Sequence, residues 1–112
     1  MPMDIEIQKL MGTTVLVCKG KLLQGRESDY LYDLITRERH SDVVLDLAQV
    51  NAIDDDGLLA IVLSYELLSS TSRTLLISSA SAEVMRALRY RRLDHLLLDH
   101  GAPNKKALAK VN

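Results

Sequence analysis

The sequence has no phenylalanine, no tryptophan and only one cysteine. Four tyrosines supply all of its aromatic side chains, so Leu, Ile and Val must build most of the core. Cys18 has no second cysteine with which to form an internal disulfide, which fits a reducing cytoplasm. No stretch approaches the roughly 20 apolar residues that span a bilayer. The first ten residues also lack the basic and apolar regions of a signal peptide. These absences favour a cytoplasmic protein.

The overall charge excludes two classes of partner. The net charge is −1, so no global field attracts nucleic acid or an anionic membrane. Hydrophobic residues make up 47% and charged residues 26%, the balance of a soluble globular protein. A length of 112 residues suits one domain that spans residues 1–112. We therefore expect no nucleic-acid partner and no insertion into a membrane.

The most informative stretch covers residues 43–59 and reads VVLDLAQVNAIDDDGLL. Residues 43–47 are short, apolar and rich in β-branched side chains, which predicts a strand buried on both faces. A loop with three consecutive aspartates follows, and a helix is predicted to begin at Gly57. In open α/β sheets, binding sites are usually found where a strand ends and the next helix begins. These aspartates are therefore the first candidates for a functional site.

Helix capping explains only part of this acidic triplet. One aspartate can accept the unpaired N–H groups of the first turn, and a second can complement the helix dipole. Three adjacent carboxylates repel one another, so the third indicates a role beyond capping.

The remaining pattern predicts an α/β fold. Alternation around Ile5 and Ile7, and again around Val15 and Val17, predicts an antiparallel hairpin. We expect a mixed, mostly parallel sheet of about five strands with about four helices and the hairpin at one edge. Strands 43–47 and 74–78 are predicted to be neighbouring interior parallel strands. The other expected elements are a loop at 21–25, helices from Arg26 to near His40, from Gly57 to about Ser70 and after a cap at Ser79 or Ser81, a short strand at 96–98, and a short helix or partly ordered tail at 101–112.

These motifs resemble those of a STAS domain, the fold of bacterial anti-sigma factor antagonists. The stretch VVLDLAQVNAIDDDGLLAI is similar to the family's strand, its Asp-Ser-Ser-Gly-Leu motif and the helix that follows. Gly20 and Leu22 match the Gly-x-Leu that follows the family's second strand. The resemblance covers nearly the whole chain.

The resemblance implies a protein-binding module that is not an enzyme. Family members typically bind an anti-sigma factor that is also a serine kinase, and the partner phosphorylates the first Ser of the motif to end the binding. The implied site has no cofactor and no metal, and the protein is expected to be a monomer or a weak homodimer. The residues carried over as partner-binding are Asp54, Asp55, Asp56, Gly57, Leu58 and Leu59.

Two of these positions depart from the family pattern. Asp55 stands at the phosphoacceptor Ser position, and Asp56 replaces the second Ser. A phosphoserine carries a charge of about −1.5 to −2 near pH 7, and the two carboxylates together supply a similar charge. The loop is therefore interpreted as phosphomimetic. Leu23 stands where many antagonists have an acid, and Arg91 and Arg92 stand where the family often has Gly.

Other functions remain open at this stage. The chain could be a STAS interaction subunit of a stressosome-like or membrane-transport complex, or a small-molecule or nucleotide binder. Asp46 resembles the phosphoacceptor of a receiver domain, although the acid pair that would hold Mg²⁺ is missing. The acidic triplet could also bind a divalent cation, which often uses only one or two carboxylates.

A basic cluster lies near the end of the third predicted helix. One interpretation is a solvated face that complements the helix dipole. The other is a docking patch for an acidic partner, or an intramolecular counter-charge. Its members are Arg86, Arg89, Arg91 and Arg92.

Overall fold

A computed structural model describes residues 3–23, 25–37 and 41–97 of the chain. This part of the chain forms an α/β fold with four strands and three α-helices, followed by one 3-10 turn. The class agrees with the prediction, although the numbers of strands and helices differ slightly from it. The elements are β1 (Asp4–Leu10), β2 (Thr13–Leu22), α1 (Arg26–Arg37), β3 (Asp42–Ile53), α2 (Asp55–Ser70), β4 (Leu75–Ala80), α3 (Ala82–Tyr90) and the 3-10 turn Asp94–Leu96.

The sheet has the strand order β1-β2-β3-β4. β1 and β2 pair antiparallel at one edge, and β2, β3 and β4 run parallel, as predicted. β3 is an interior strand. β4 is the last full strand of the described sheet, and a single parallel bridge joins its Ile77 to Leu97. The predicted strand at 96–98 is therefore reduced to this bridge after the 3-10 turn, and residue 98 lies outside the described part.

One face of the sheet packs against the helices to form the core. Leu16, Leu45 and Ile77 lie side by side on three adjacent strands, and each is at most 1% exposed. Burying a side chain of this size stabilises the fold by about 1.5–3 kcal/mol. The core is aliphatic, as the lack of Phe and Trp requires. The fully buried residues that the helices add are Leu31, Ile35, Ile61, Leu68, Val84 and Leu88.

β2 and β3 extend further than predicted, and this extension positions the candidate site. Gly20 adopts φ +113°, a conformation open mainly to glycine, at an irregularity in the register of β2 with β3. Pairing then resumes, so that Leu22 lies opposite Ile53. The predicted loop at 21–25 and the predicted end of the strand at residue 47 are therefore wrong. Both strands continue because their backbones pair beyond the irregularity.

The helix boundaries correct two other predictions. α1 begins at Arg26 as predicted and is described to Arg37, with residues 38–40 outside the described part. α2 begins at Asp55 rather than Gly57 and ends at Ser70 as predicted. Ser81 caps α3, because its hydroxyl accepts the Val84 N–H at 3.3 Å. The expected C-terminal helix or tail at 101–112 lies outside the described residues. No helix within the described ranges is long and apolar enough to cross a bilayer.

The single thiol belongs to the core. Cys18 is fully buried on β2. Burial, and to a lesser extent the negative charge of Asp46, raises the pKa of this thiol to about 12. Because the thiolate is the reactive form of cysteine, Cys18 is inert near neutral pH and contributes by packing.

Candidate functional site

The candidate site begins at Asp54, which separates β3 from α2. Its backbone is extended (φ −116°, ψ −175°), and its Oδ1 accepts the Gly57 N–H at 2.9 Å. Asp54 is therefore the N-cap of α2. Its own N–H donates to the Leu22 carbonyl at 3.4 Å, which ties the start of α2 to the end of β2.

Gly57 is required by the close approach of α2 to β2. A Cβ at this position would collide with the backbone carbonyl oxygen of Leu22 and would lie 3.0 Å from Ile53 Cγ1. The Gly-x-Leu of β2 and the Asp-x-x-Gly-Leu that opens α2 therefore touch in the folded protein. This contact explains why the second motif carries glycine at position 57.

Asp55 occupies the first turn of α2 and points to a second helix. Its side chain is 76% exposed, and its Oδ1 lies 2.7 Å from Nη2 of Arg91 at the end of α3. The same guanidinium lies over the ring of Tyr90, with Cζ 5.7 Å from the ring centroid, within cation–π range. One member of the basic cluster is therefore an intramolecular counter-charge, as one of the two interpretations allowed.

The end of α3 fixes the position of Arg91. The Leu93 N–H bonds to the Leu88 carbonyl at 2.7 Å, and the Arg92 N–H bonds to the Arg89 carbonyl at 3.1 Å. These two bonds are those of a Schellman motif, which needs a left-handed residue after the cap. Arg92 is that residue, with φ +58°. The turn therefore forms although arginine occupies the position that favours glycine.

Asp56 faces a different surface from its two neighbours. It is exposed and borders a groove of about 380 Å³ between α1 and α2. The lining of the groove includes Leu59 and Leu63, which are 50% and 44% exposed. Asp29 and Tyr32 of α1 line the opposite side. This groove therefore combines exposed leucines with two acids, Asp29 and Asp56.

The six sequence-predicted site residues fall into two groups. Asp55, Asp56 and Leu59 are exposed and available to a partner. The others shape the surface from below: Gly57 and Leu58 are buried, and Leu58 is only 6% exposed. Asp54 is half-buried and caps the helix.

Sequence reasoning missed the contribution of α1 and the second leucine. Leu63 follows Leu59 by four residues, so helical spacing alone indicates that the two share a face. Asp29 and Tyr32 gave no comparable signal, because their approach to α2 depends on how the helices pack.

Two of the alternatives drawn from the sequence, a receiver domain and a metal site, find little support at this site. Asp46 lies in the middle of β3, where its Oδ1 accepts the Ser79 hydroxyl at 2.7 Å and the Ala48 N–H at 3.1 Å. Within residues 3–23, 25–37 and 41–97, no group of three or more His, Cys, Asp or Glu side chains could hold a metal ion. A cleft beside β4, lined in part by Met85 and Arg89, has a volume of about 170 Å³. This volume is below the roughly 300–1,000 Å³ typical of small-molecule sites, whereas the groove between α1 and α2 lies inside that range, so the small-molecule alternative stays a prediction.

Comparison with known families identifies the domain. The STAS domain family model matches residues 4–106. The chain therefore belongs to the STAS domain family, as the resemblance in the sequence indicated. The comparison with curated proteins found no match.

Solved structures of anti-sigma factor antagonists share this fold. SpoIIAA in its unphosphorylated form superposes with a TM-score of 0.78 at 12% identity, covering 96% of each chain. A putative antagonist from Thermotoga maritima gives 0.72 at 19% identity, covering 83% of this chain and 82% of that chain. An antagonist from Mycobacterium paratuberculosis gives 0.71 at 17% identity, covering 85% and 82%. At these identities the likeness establishes the fold.

A larger protein contains a related fold. The structure described as Mglu matches with a TM-score of 0.59 at 24% identity over 64% of this chain. The present chain covers only 18% of that protein's chain. Together with the family membership, the antagonist structures support a regulatory protein-binding module.

Proposed function

We propose that this STAS domain is a non-enzymatic, cytoplasmic module of bacterial transcription regulation. It binds a protein partner through the first two turns of α2, where Asp55, Asp56 and Leu59 are exposed. The observation that carries the proposal is the exposure of two carboxylates at the start of α2, beside a groove that two exposed leucines help to line. The resemblance in the sequence assigns these two positions to the serines of the family motif.

The groove has the composition of a protein interface. Leu59 and Leu63 supply exposed apolar surface, and Asp29 and Asp56 supply negative charge. Protein interfaces commonly combine an apolar core with a polar rim, and charged residues at a rim steer association and select partners. A partner with an apolar side chain flanked by basic residues is complementary to this surface.

Position 55 gives the surface a permanent charge. An aspartate has no hydroxyl to accept a phosphate, and it carries a carboxylate in its place. The partner class that fits the family is an anti-sigma factor, including one that is also a serine kinase. In this chain the kinase reaction has no acceptor at position 55, so phosphorylation there does not control the binding.

The proposal is tested by measuring partner affinity for the Asp55→Ser variant. Affinity capture followed by mass spectrometry supplies the partner, and titration calorimetry then compares the two proteins. We expect the dissociation constant to change at least about tenfold, or ~1.4 kcal/mol. A kinase-type anti-sigma factor should bind the Ser form more tightly. A partner adapted to the acids, such as a stressosome or transport subunit, should bind it less tightly.

Asp33→Ser is the matched control for this experiment. Asp33 is also exposed and also pairs with an arginine, since its Oδ2 lies 3.2 Å from Nη2 of Arg37 on α1. We expect this variant to leave partner affinity unchanged. If Asp55→Ser leaves the affinity for every captured partner unchanged, the surface at the start of α2 is not the binding site.

A further inference from the structure

The contact between Asp55 and Arg91 joins two elements that are distant in sequence. It links the first turn of α2 to the end of α3 at 2.7 Å, and both side chains are at least 48% exposed. Tyr90, whose ring lies beneath the guanidinium, is 82% exposed. The guanidinium therefore has a carboxylate on one side and an aromatic face on another, both on the protein surface.

The backbone around Arg91 is constrained. The Schellman bonds at the end of α3 hold Arg91 at the C-cap and force Arg92 into the left-handed region at φ +58°. This conformation is unfavourable in free energy for a residue that has a Cβ. The pairing with Asp55 therefore depends on a fixed turn and does not rest on a long side chain alone.

The pairing changes the charge that a partner meets. Asp54 uses a carboxylate oxygen to cap α2, and the carboxylate of Asp55 is opposed by a cation at 2.7 Å. Asp56 is exposed and borders the groove between α1 and α2. The three acids thus present less negative charge at position 55 than their sequence indicates.

We infer that Arg91 is a specificity-determining residue, which masks the charge of Asp55 and sets what a partner can bind there. This inference rests on the proposed function of the surface around Asp55. A partner with a basic side chain must displace Arg91 from Asp55. A partner that places a neutral group at Asp55 contacts the intact ion pair between Asp55 and Arg91. Exposed ion pairs shift an equilibrium by up to about fivefold, so the mask is reversible.

The mask is measurable in the protein without any partner. A cationic and an anionic nitroxide of equal size enhance the relaxation of nearby backbone amide protons in proportion to their local concentrations. We expect the cationic-to-anionic ratio at residues 55–57 to rise at least about twofold in Arg91→Gln, because an unopposed carboxylate attracts the cation. The double variant Asp55→Asn with Arg91→Gln should return towards the wild-type ratio.

Arg89→Gln is the control for net charge. It removes one arginine from the same helix, but Arg89 lines the cleft beside β4 on a different side of α3. We expect a smaller change at residues 55–57 in this variant. If the cationic-to-anionic ratio at residues 55–57 changes no more in Arg91→Gln than in Arg89→Gln, the inference is wrong, whatever the partner proves to be.

Partner binding separates the inference from the proposed function. With a captured partner, Arg91→Gln should change the affinity by up to about fivefold, and the change should vanish when Asp55 is already Asn. An effect of Asp55→Ser without any effect of Arg91→Gln would refute the role of Arg91 in specificity and leave the proposed binding surface intact. If the ratio rises in Arg91→Gln as expected but no loop variant changes the affinity for a partner, the masking of Asp55 is supported and the proposed function is wrong.

Discussion

At residues 54–56, three identical side chains have three different surroundings. Asp54 caps α2, Asp55 pairs with Arg91, and Asp56 borders the groove between α1 and α2. The capping hydrogen bond therefore accounts for one acid, and the other two lie in the first turn, where the helix dipole favours acids. The argument that a third carboxylate needs another role stays a prediction. That argument did not identify which aspartate is the cap, because the predicted start of α2 was two residues too late.

This division predicts unequal effects on stability. Asp54→Ala should lower the free energy of unfolding by about 0.5–2 kcal/mol, because the Gly57 N–H loses its acceptor. A loss of ~1 kcal/mol would lower the melting temperature by about 4–8 °C in a domain of this size. Thermal unfolding followed by circular dichroism measures the shift.

Asp56→Ala and Asp54→Asn are the controls for the cap. Asp56 is exposed and accepts no described helix-capping bond. The free energy of unfolding of Asp56→Ala should therefore lie within about 0.5 kcal/mol of the wild-type value. Asparagine caps as well as aspartate does, so Asp54→Asn should also be close to wild type. Equal losses in Asp54→Ala and Asp56→Ala would contradict the assignment of the cap.

At the scale of the elements, the sequence predicts the order better than the boundaries. The hairpin, the parallel pair β3 and β4 and the end of α2 follow from local apolar periodicity. The end of β3 does not, because Asn51 and Ala52 are weak strand formers. They are held in the strand by the extended end of β2, where Lys21 lies opposite Ala52. Local propensity cannot show this pairing.

The contact of α2 with β2 predicts the effect of Gly57→Ala. In an exposed helix this change would stabilise by roughly 1 kcal/mol. Here the new methyl group would meet the Leu22 carbonyl, which belongs to the backbone and cannot turn aside. Overpacking of this kind costs typically 1–3 kcal/mol, so we expect a net loss in urea denaturation. A gain in stability would show that α2 does not approach β2 this closely.

The turn after α3 predicts the opposite effect for Arg92→Gly. A residue with a Cβ loses roughly 1–2 kcal/mol of stability in the left-handed conformation, and glycine removes this loss. Glycine also loses more backbone entropy on folding, which cancels part of the gain. We expect a net stabilisation of about 0.5–1 kcal/mol in urea denaturation. Arg89→Gly removes the same charge inside α3 and should destabilise by roughly 1 kcal/mol. Similar losses of stability in both variants would show that Arg92 is not in the left-handed conformation.

At the scale of the whole molecule, the fold brings together residues that the sequence separates. Asp55 and Arg91 belong to different helices, and no local pattern indicates that they meet. The family motif identified the acidic loop, but the groove beside it depends on how α1 packs against α2. The fold class and the position of the loop were therefore predictable, whereas the partners of each carboxylate required the three-dimensional structure.

The whole-molecule account claims that the surface at the start of α2 carries a charge that phosphorylation does not switch. The most direct test incubates the wild type and Asp55→Ser with ATP and a serine kinase of the anti-sigma factor class. No residue from 54 to 63 has a hydroxyl, so mass spectrometry should find no phosphate in this peptide of the wild type. Asp55→Ser should accept one phosphate there if the kinase recognises the rest of the surface. The account also predicts that wild-type affinity for its partner is the same before and after the incubation. A phosphate in the wild-type peptide, or a loss of partner binding on incubation with ATP, would contradict it.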